Sequence, residues 1–142
     1  MALTPEEREE FLAEAHIAAL SVDAGEEGRA PVTVPIWYQY EPGGDIWIMT
    51  GKDSRKARLI EAAGRFTLMV ERVEPSIRYV SVEGPVVATE PATREQLHEI
   101  SARYLPADKV DGYVEQAWKG HGEQIVLRLR PQRWVSSDLG SV

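Results

Sequence analysis

The sequence predicts a mainly β fold, a small antiparallel barrel of about six strands with short helices around it. Six runs of β-branched, aromatic or alternating apolar residues recur along the 142 residues. Turns rich in glycine and proline, or short helical patterns, separate them, and no repeat or linker divides the chain. Closure is expected because it removes exposed strand edges. We therefore expect one domain over residues 1–142.

Composition limits the classes of function. The chain is 43% hydrophobic and 27% charged, which is typical of a globular domain. Because it contains no cysteine, disulfides, thiolate catalysis and cysteine-based metal sites are excluded. A net charge of −7 argues against a nucleic-acid partner, which needs a broad basic surface. The acidic start and the absence of an apolar run of about 18 residues predict a cytoplasmic protein without membrane contact.

The first elements are a helix and three strands. Residues 4–7, Thr-Pro-Glu-Glu, have the pattern of a capping box with proline at the first helical position. Residues 17–22 predict a buried strand, and residues 31–40 a second strand in which Pro35 indicates an edge or a bulge. Residues 41–50 read as a tight turn followed by a third strand. The second and third strands are therefore expected to form a hairpin.

The second half of the chain returns to the sheet twice. Residues 65–71 predict one strand and residues 77–88 a longer one, bent at Gly84 where a barrel turns a corner. Two helices should follow, one from Thr93 and one from about Pro106. The alternating stretch 124–130 and a short piece at 134–135 complete the predicted sheet.

The most distinctive stretch follows the third strand. Thr50 ends that strand, and Asp53 or Ser54 can cap a short helix that Gly64 ends. Four basic side chains lie there within seven positions, at Lys52, Arg55, Lys56 and Arg58. Basic residues in a first turn oppose the helix dipole by roughly 0.3–1 kcal/mol each, whereas a phosphate at a helix start is favoured. The stretch predicts a phosphate or other anion site, with a solvated helix face as the alternative.

Residues 31–89 resemble the split β-barrel of the pyridoxamine 5'-phosphate oxidase-like flavoproteins, which include deazaflavin-dependent reductases. The resemblance is carried by Thr50 followed by Ser54, Arg55 and Lys56, then a helix and a further strand. It implies a six-stranded antiparallel split β-barrel with short peripheral helices. In flavin-binding members an equivalent Thr and Ser-Arg-Lys hold the cofactor phosphate. By resemblance, these four residues take that role here.

The same resemblance implies contacts with the cofactor ring. In family members the preceding strand lines the isoalloxazine, which points to Val34, Pro35, Ile36 and Trp37. A later strand reaches the cofactor across a dimer interface, which points to Arg78 and Tyr79. From the residues alone, Trp37 is either a core aromatic or a platform over the ring, and Trp47 is expected in the core.

The resemblance implies an oxidoreductase that transfers hydride or electrons to a small molecule, as a homodimer with the cofactor at the interface. FMN is favoured over the deazaflavin coenzyme F420 because Ser-Arg-Lys copies the flavin-binding form. No catalytic residue is assigned, since the cofactor carries the redox chemistry. Pyridoxamine phosphate oxidation itself is not expected, because residues 130–139 lack the Arg and His arrangement that binds its substrate.

Three alternatives accompany this prediction. The first is a non-catalytic cofactor carrier or sensor on the same barrel, and the second is a structural interaction domain without a cofactor. The third concerns the histidines, because split barrels that bind haem make His98 or His121 a candidate axial ligand. The spacing of His16, His98 and His121 matches no zinc motif or proteolytic triad, so we expect no metal site and three ordinary histidines.

Overall fold

The computed structural model describes residues 1–120 and 122–141. Within them the chain forms four helices and eight strands, in the order α1 (Pro5–Ala13), β1 (Ala18–Val22), β2 (Val32–Ile36), β3 (Tyr38–Gln39), β4 (Ile46–Gly51), α2 (Arg55–Ala63), β5 (Arg65–Arg72), β6 (Ile77–Pro91), α3 (Arg94–Tyr104), α4 (Ala107–Gly120), β7 (Gln124–Leu129) and β8 (Arg133–Gly140). The sheet is antiparallel and curls into a half-barrel with short helices around it. This architecture confirms the predicted fold class.

The strand order explains how the barrel is split. The strands follow one another as β2-β1-β5-β6-β7-β4-β3, and β8 pairs with β6 off this path. The two end strands, β2 and β3, are consecutive in the chain and are joined at Trp37 rather than paired with each other. The expected closure is therefore made by the covalent chain at Trp37, and not by a hydrogen-bonded ladder.

The structure corrects two expectations about the strands. The predicted single strand over residues 31–40 is two strands, because β2 pairs with β1 while β3 pairs with β4. The hairpin with β4 therefore contains only Tyr38 and Gln39, although Pro35 does lie on an edge strand as predicted. The last strand is not a short piece at 134–135, since β8 extends over eight residues along β6. Pairing over long sequence separations decides both differences.

The long strand β6 belongs to both halves of the sheet. Its first part pairs with β5 and β8, its last part pairs with β7, and the register shifts between Val86 and Ala88. At Gly84 a Cβ atom would lie 1.8 Å from the backbone oxygen of Arg130. The predicted bend is thus present, and its glycine is required by the close approach of another backbone.

Local sequence signals set the ends of the helices. Thr4 and Glu7 form the predicted capping box at α1, and Thr93 and Gln96 form the second one at α3. Gly64 ends α2 in the left-handed region, with φ of 74°. No helix in the described part of the chain is both long enough and apolar enough to cross a membrane.

Two apolar clusters hold the fold together. The main core lies inside the curled sheet, where Leu20, Ile48 and Leu68 are fully buried. A second cluster lies where α3 and α4 pack on β4 and β7, around Trp47 and Val126. The second cluster fixes the helical pair beside the end of β4, where the predicted anion site begins.

Candidate functional site

The start of α2 is tied to the end of β4 by two hydroxyl groups. Thr50 is only 4% exposed, and its Oγ1 lies 3.1 Å from Oγ of Ser54. The same Oγ accepts a hydrogen bond from the backbone N–H of Ala57 at 3.2 Å, so Ser54 is the N-cap. The first turn of α2 therefore has a fixed position relative to the sheet.

The four basic side chains around this helix start fall into two pairs. Nζ of Lys52 lies 3.4 Å from the carboxylate of Glu123, and Arg58 donates to the backbone oxygen of Asp53 at 2.6 Å. Within the described residues, Arg55 and Lys56 have no ion-pair or hydrogen-bond partner for their side chains. Their backbone N–H groups belong to the helix start, where no intrahelical acceptor exists. The arrangement can hold a phosphate.

An uncharged groove of about 380 Å³ opens beside β4. Its walls come from the β2–β3 connection, β4, β7 and the helical pair, through Ile17, Pro35, Ile36, Trp37, Met49, Leu97, Ile100, Tyr113 and Gln124. This volume and an apolar, aromatic lining are typical of small-molecule sites. The groove can therefore take a flat, largely apolar ring.

Gln124 connects the groove to the helix start. It lines the groove and is the register partner of Gly51, the residue after Thr50. A Cβ atom on Gly51 would lie 3.7 Å from Nε2 of Gln124 and 3.9 Å from Cβ of Ser54. The groove and the positive end of α2 are thus neighbours, joined at Gln124.

Trp37 forms a rigid wall of the groove. Its ring stacks on Tyr104 at 4.8 Å between centroids and 18° between planes, and it also contacts Tyr113 at 5.8 Å. The Tyr104 hydroxyl donates to the backbone oxygen of His16 at 2.7 Å and accepts from the backbone N–H of Tyr38 at 3.1 Å. Trp37 therefore packs on the second cluster and also lines the groove, and its role as a platform over a ring stays a prediction.

The structure brings most of the predicted site residues together. Pro35, Ile36 and Trp37 line the groove. Thr50 and Ser54 lie at the start of α2, which adjoins the groove. Val34 instead packs against the main core. Trp47 is 7% exposed in the second cluster, which confirms its predicted place in a core.

Arg78 and Tyr79 lie on β6, outside the lining of the groove. The Arg78 guanidinium binds the carboxylate of Asp138 on β8 at 2.9 Å, and neither residue lines the groove. The family resemblance assigns both residues to a contact across a dimer interface. Because that contact needs a second chain, their role stays a prediction.

The match to a protein family agrees with the fold and with the motif. A family model described as pyridoxamine 5'-phosphate oxidase matches residues 4–138, which is nearly the whole chain. The chain belongs to this family. No curated protein sequence matches the chain.

Three solved structures show what the chain resembles in three dimensions. A conserved hypothetical protein from Mycobacterium tuberculosis is 23% identical, with a TM-score of 0.72 over 97% of this chain and 86% of that one. A protein described as an F420 reductase is 20% identical, with a TM-score of 0.67 over 89% of this chain and 94% of that one. An FAD-binding protein from Mesorhizobium loti is 15% identical, with a TM-score of 0.64 over 100% and 97%. At these identities the likeness shows the fold.

Several residues of the groove had no predicted role in a site. The sequence places Tyr113 only within the helix predicted from about Pro106, and Gln124 only as the first residue of the strand predicted over residues 124–130. A polar residue at the start of the apolar run that forms β7 is the one local signal for Gln124. Tyr113 gave no comparable signal, because its place in the groove depends on how α4 packs against Trp37.

Two of the histidines have ordinary surroundings. Nε2 of His16 lies 2.9 Å from the backbone oxygen of Phe11, and His98 is exposed beside Asp111 on α4. His121, the other candidate haem ligand, lies outside the described residues. Among the described residues no group of three His, Asp or Glu side chains is placed to hold a metal ion.

Proposed function

We propose that the chain is a flavin- or deazaflavin-dependent oxidoreductase that transfers hydride or electrons to a small molecule, with FMN favoured over coenzyme F420. The observation that carries this proposal is the junction at Gln124 between the start of α2 and the uncharged groove. A phosphorylated, flat ring system has the chemistry that matches both parts. Similar structures described as an F420 reductase and an FAD-binding protein support the same class of cofactor.

The residues of this chain would bind and orient such a cofactor. Arg55 and Lys56 would neutralise the phosphate, while the Ser54 and Thr50 hydroxyls and the first-turn N–H groups of α2 would fix its position. Trp37 would keep the ring plane in place, because Tyr104 supports it from behind. Once bound, the cofactor would supply the electron transfer, and the protein would exclude water around it.

The outer face of the sheet supports a homodimer. A row of uncharged residues crosses five strands in direct register, from Pro35 through Ala19, Met69 and Ser81 to Val135. Val135 is 62% exposed, and Pro35 also lines the groove. A second copy on this face would therefore border the groove. Tyr79 lies two residues before Ser81 on β6, on the same face of the sheet, and would lie within that interface.

The test is the absorption spectrum of the purified protein, before and after addition of FMN or coenzyme F420. We expect a bound-cofactor spectrum in the wild type and about 1–3 kcal/mol of lost affinity in each of Arg55→Ala and Lys56→Ala. Arg29→Ala removes the same charge at a residue that does not line the groove and serves as the control, with unchanged affinity expected. Spectral silence with both cofactors would leave only a structural domain.

A cofactor carrier on the same barrel is the second candidate. It is favoured by the lining of the groove, where the described residues include no carboxylate, lysine or histidine to act as an acid or base. Reducing the bound cofactor with dithionite under anaerobic conditions and adding a dye acceptor separates the two. With one equivalent of dithionite and none in excess, reoxidation of the cofactor by the dye supports the oxidoreductase, and a tightly bound cofactor that does not react supports the carrier.

A further inference from the structure

We infer that a second cleft, adjoining the phosphate site, binds a planar and uncharged aromatic group. We call it the α4 cleft, a space of about 580 Å³ between the end of α4 and the paired ends of β6 and β7. The inference depends on six of its lining residues, Lys52, Pro91, Trp118, Glu123, Gln124 and Ile125. The inference rests on the proposed function, because it concerns what lies beside the cofactor phosphate.

The position of the α4 cleft links it to the start of α2. Gln124 lines both the cleft and the groove, so the two spaces meet at one side chain. Lys52, another wall of the cleft, lies two positions before Ser54, and its backbone N–H donates to Glu123 at 2.9 Å. A group attached to a phosphate at Ser54, or bound next to it, would therefore enter this cleft.

The charges of the α4 cleft disfavour an anionic occupant. Its one lysine, Lys52, is already paired with Glu123 at 3.4 Å. A second carboxylate, Glu90, also lines the cleft and is held by Arg128 at 2.8 Å. Because both of these cations are already paired with carboxylates, a further phosphate or a chain of carboxylates would find no free counter-charge there. An uncharged group meets no such penalty.

The shape and the chemistry of the lining favour an aromatic ring. Trp118 is 37% exposed and contributes its indole to the cleft, although α4 already buries Val110, Val114 and Ala117 in the second cluster. An indole exposed inside a cleft offers a flat apolar face, and stacking with a planar ring would cover it. Pro91 and Ile125 supply apolar surface in the same cleft.

Two sources of such a ring have the same chemistry. The ring can be an adenine joined to the cofactor phosphate, as in FAD, or a free aromatic substrate, for which menadione is the probe. The wild-type protein is titrated with FMN, FAD and menadione. The same titrations are then made with Trp118→Ala, Trp118→Phe and the control Gln116→Ala, which lies on the exposed side of the same helix. Unfolding curves check that each variant is folded.

We expect Trp118→Ala to weaken the binding of FAD or of menadione by about tenfold or more, with FMN unchanged. Trp118→Phe should restore most of the affinity, and Gln116→Ala should match the wild type. An FAD effect identifies an attached adenine, and a menadione effect identifies a free substrate. Unchanged affinity for both in Trp118→Ala overturns the inference. Spectral silence of the wild type with both FMN and coenzyme F420 refutes the proposed function instead, and the menadione titration still decides this inference.

Discussion

Oγ1 of Thr50 lies 3.1 Å from Oγ of Ser54, which joins the last core position of β4 to the N-cap of α2. Ser54 uses the same oxygen to accept from Ala57 at 3.2 Å. The helix start that would face a phosphate is therefore held by a buried hydroxyl of the sheet, and its orientation does not depend on the bound ligand. Such preorganisation lowers the cost of binding.

The two hydroxyl groups should differ in their effect on stability. Ser54→Ala removes the cap as well as the contact with Thr50, and we expect a loss of about 0.5–2 kcal/mol in the free energy of unfolding. Thr50→Val keeps the side-chain shape and leaves the cap in place, so its cost should be the smaller of the two. Urea unfolding followed by circular dichroism measures both. A larger loss in Thr50→Val would show that the cap is not the main role of Ser54.

Arg103 on α3 should contribute strongly to stability. Its guanidinium donates to the backbone oxygens of Ala13 at 2.8 Å and Glu14 at 2.7 Å, at the end of α1. We expect Arg103→Ala to cost about 1.5–3 kcal/mol in urea unfolding, because these carbonyl groups lose a charged donor. The exposed ion pair between Arg94 and Glu115 provides the comparison. Arg94→Ala should lower the free energy of unfolding by less than about 1 kcal/mol. Equal costs would contradict the role given to Arg103.

Two glycines should respond to alanine in opposite ways. At Gly84 the added Cβ would lie 1.8 Å from the Arg130 backbone oxygen, so the strands must separate and we expect a loss of at least about 3 kcal/mol. Gly112 lies within α4 and nothing surrounds its Cβ position, so Gly112→Ala should stabilise the protein by about 0.5–1 kcal/mol. Thermal unfolding compares the variants. A tolerated Gly84→Ala would contradict the close approach of the two backbones.

Asp138 makes stability depend on pH at the acidic end. The Gly140 backbone N–H, the Ser76 hydroxyl and the Arg78 guanidinium all donate to its carboxylate and lower its pKa from 3.8 to about 2. Because the folded pKa is depressed, this stabilisation is fully present above the unfolded value of 3.8 and is lost as the pH falls through about 2.

Melting temperatures of the wild type and Asp138→Asn test this dependence. The wild type should melt higher than Asp138→Asn above the unfolded pKa of 3.8, and the gap should close as the pH approaches 2. The same gap at every pH would mean that the charge of Asp138 contributes nothing.

Features set by neighbouring residues could be predicted from the sequence. The caps at Thr4 and Thr93 and the end of α2 at Gly64 depend on a few adjacent positions and lie where the sequence placed them. At α2 the cap is Ser54, one of the two candidates Asp53 and Ser54. The bend at Gly84 was predicted for a similar reason, since a Gly-Pro pair within a strand is a local signal.

Features set by distant partners could not be predicted in this way. The division of residues 31–40 into β2 and β3 depends on which strand pairs with each half, and the length of β8 depends on its partner β6. The groove depends on tertiary packing too, because Tyr113 reaches it only through the contact of α4 with Trp37. The motif around Ser54 predicts an anion site, and the family resemblance points to Pro35, Ile36 and Trp37 as walls beside it, but no local pattern points to Tyr113.

The central claim is that the start of α2 binds the phosphate of a redox cofactor, and comparing FMN with riboflavin tests it most directly. The two ligands differ only in the phosphate, so the ratio of their dissociation constants reports that contact alone. We expect FMN to bind the wild type at least about tenfold more tightly, and Lys56→Ala to bring the ratio towards one. A ratio that is the same in the wild type and in Lys56→Ala would contradict the claim.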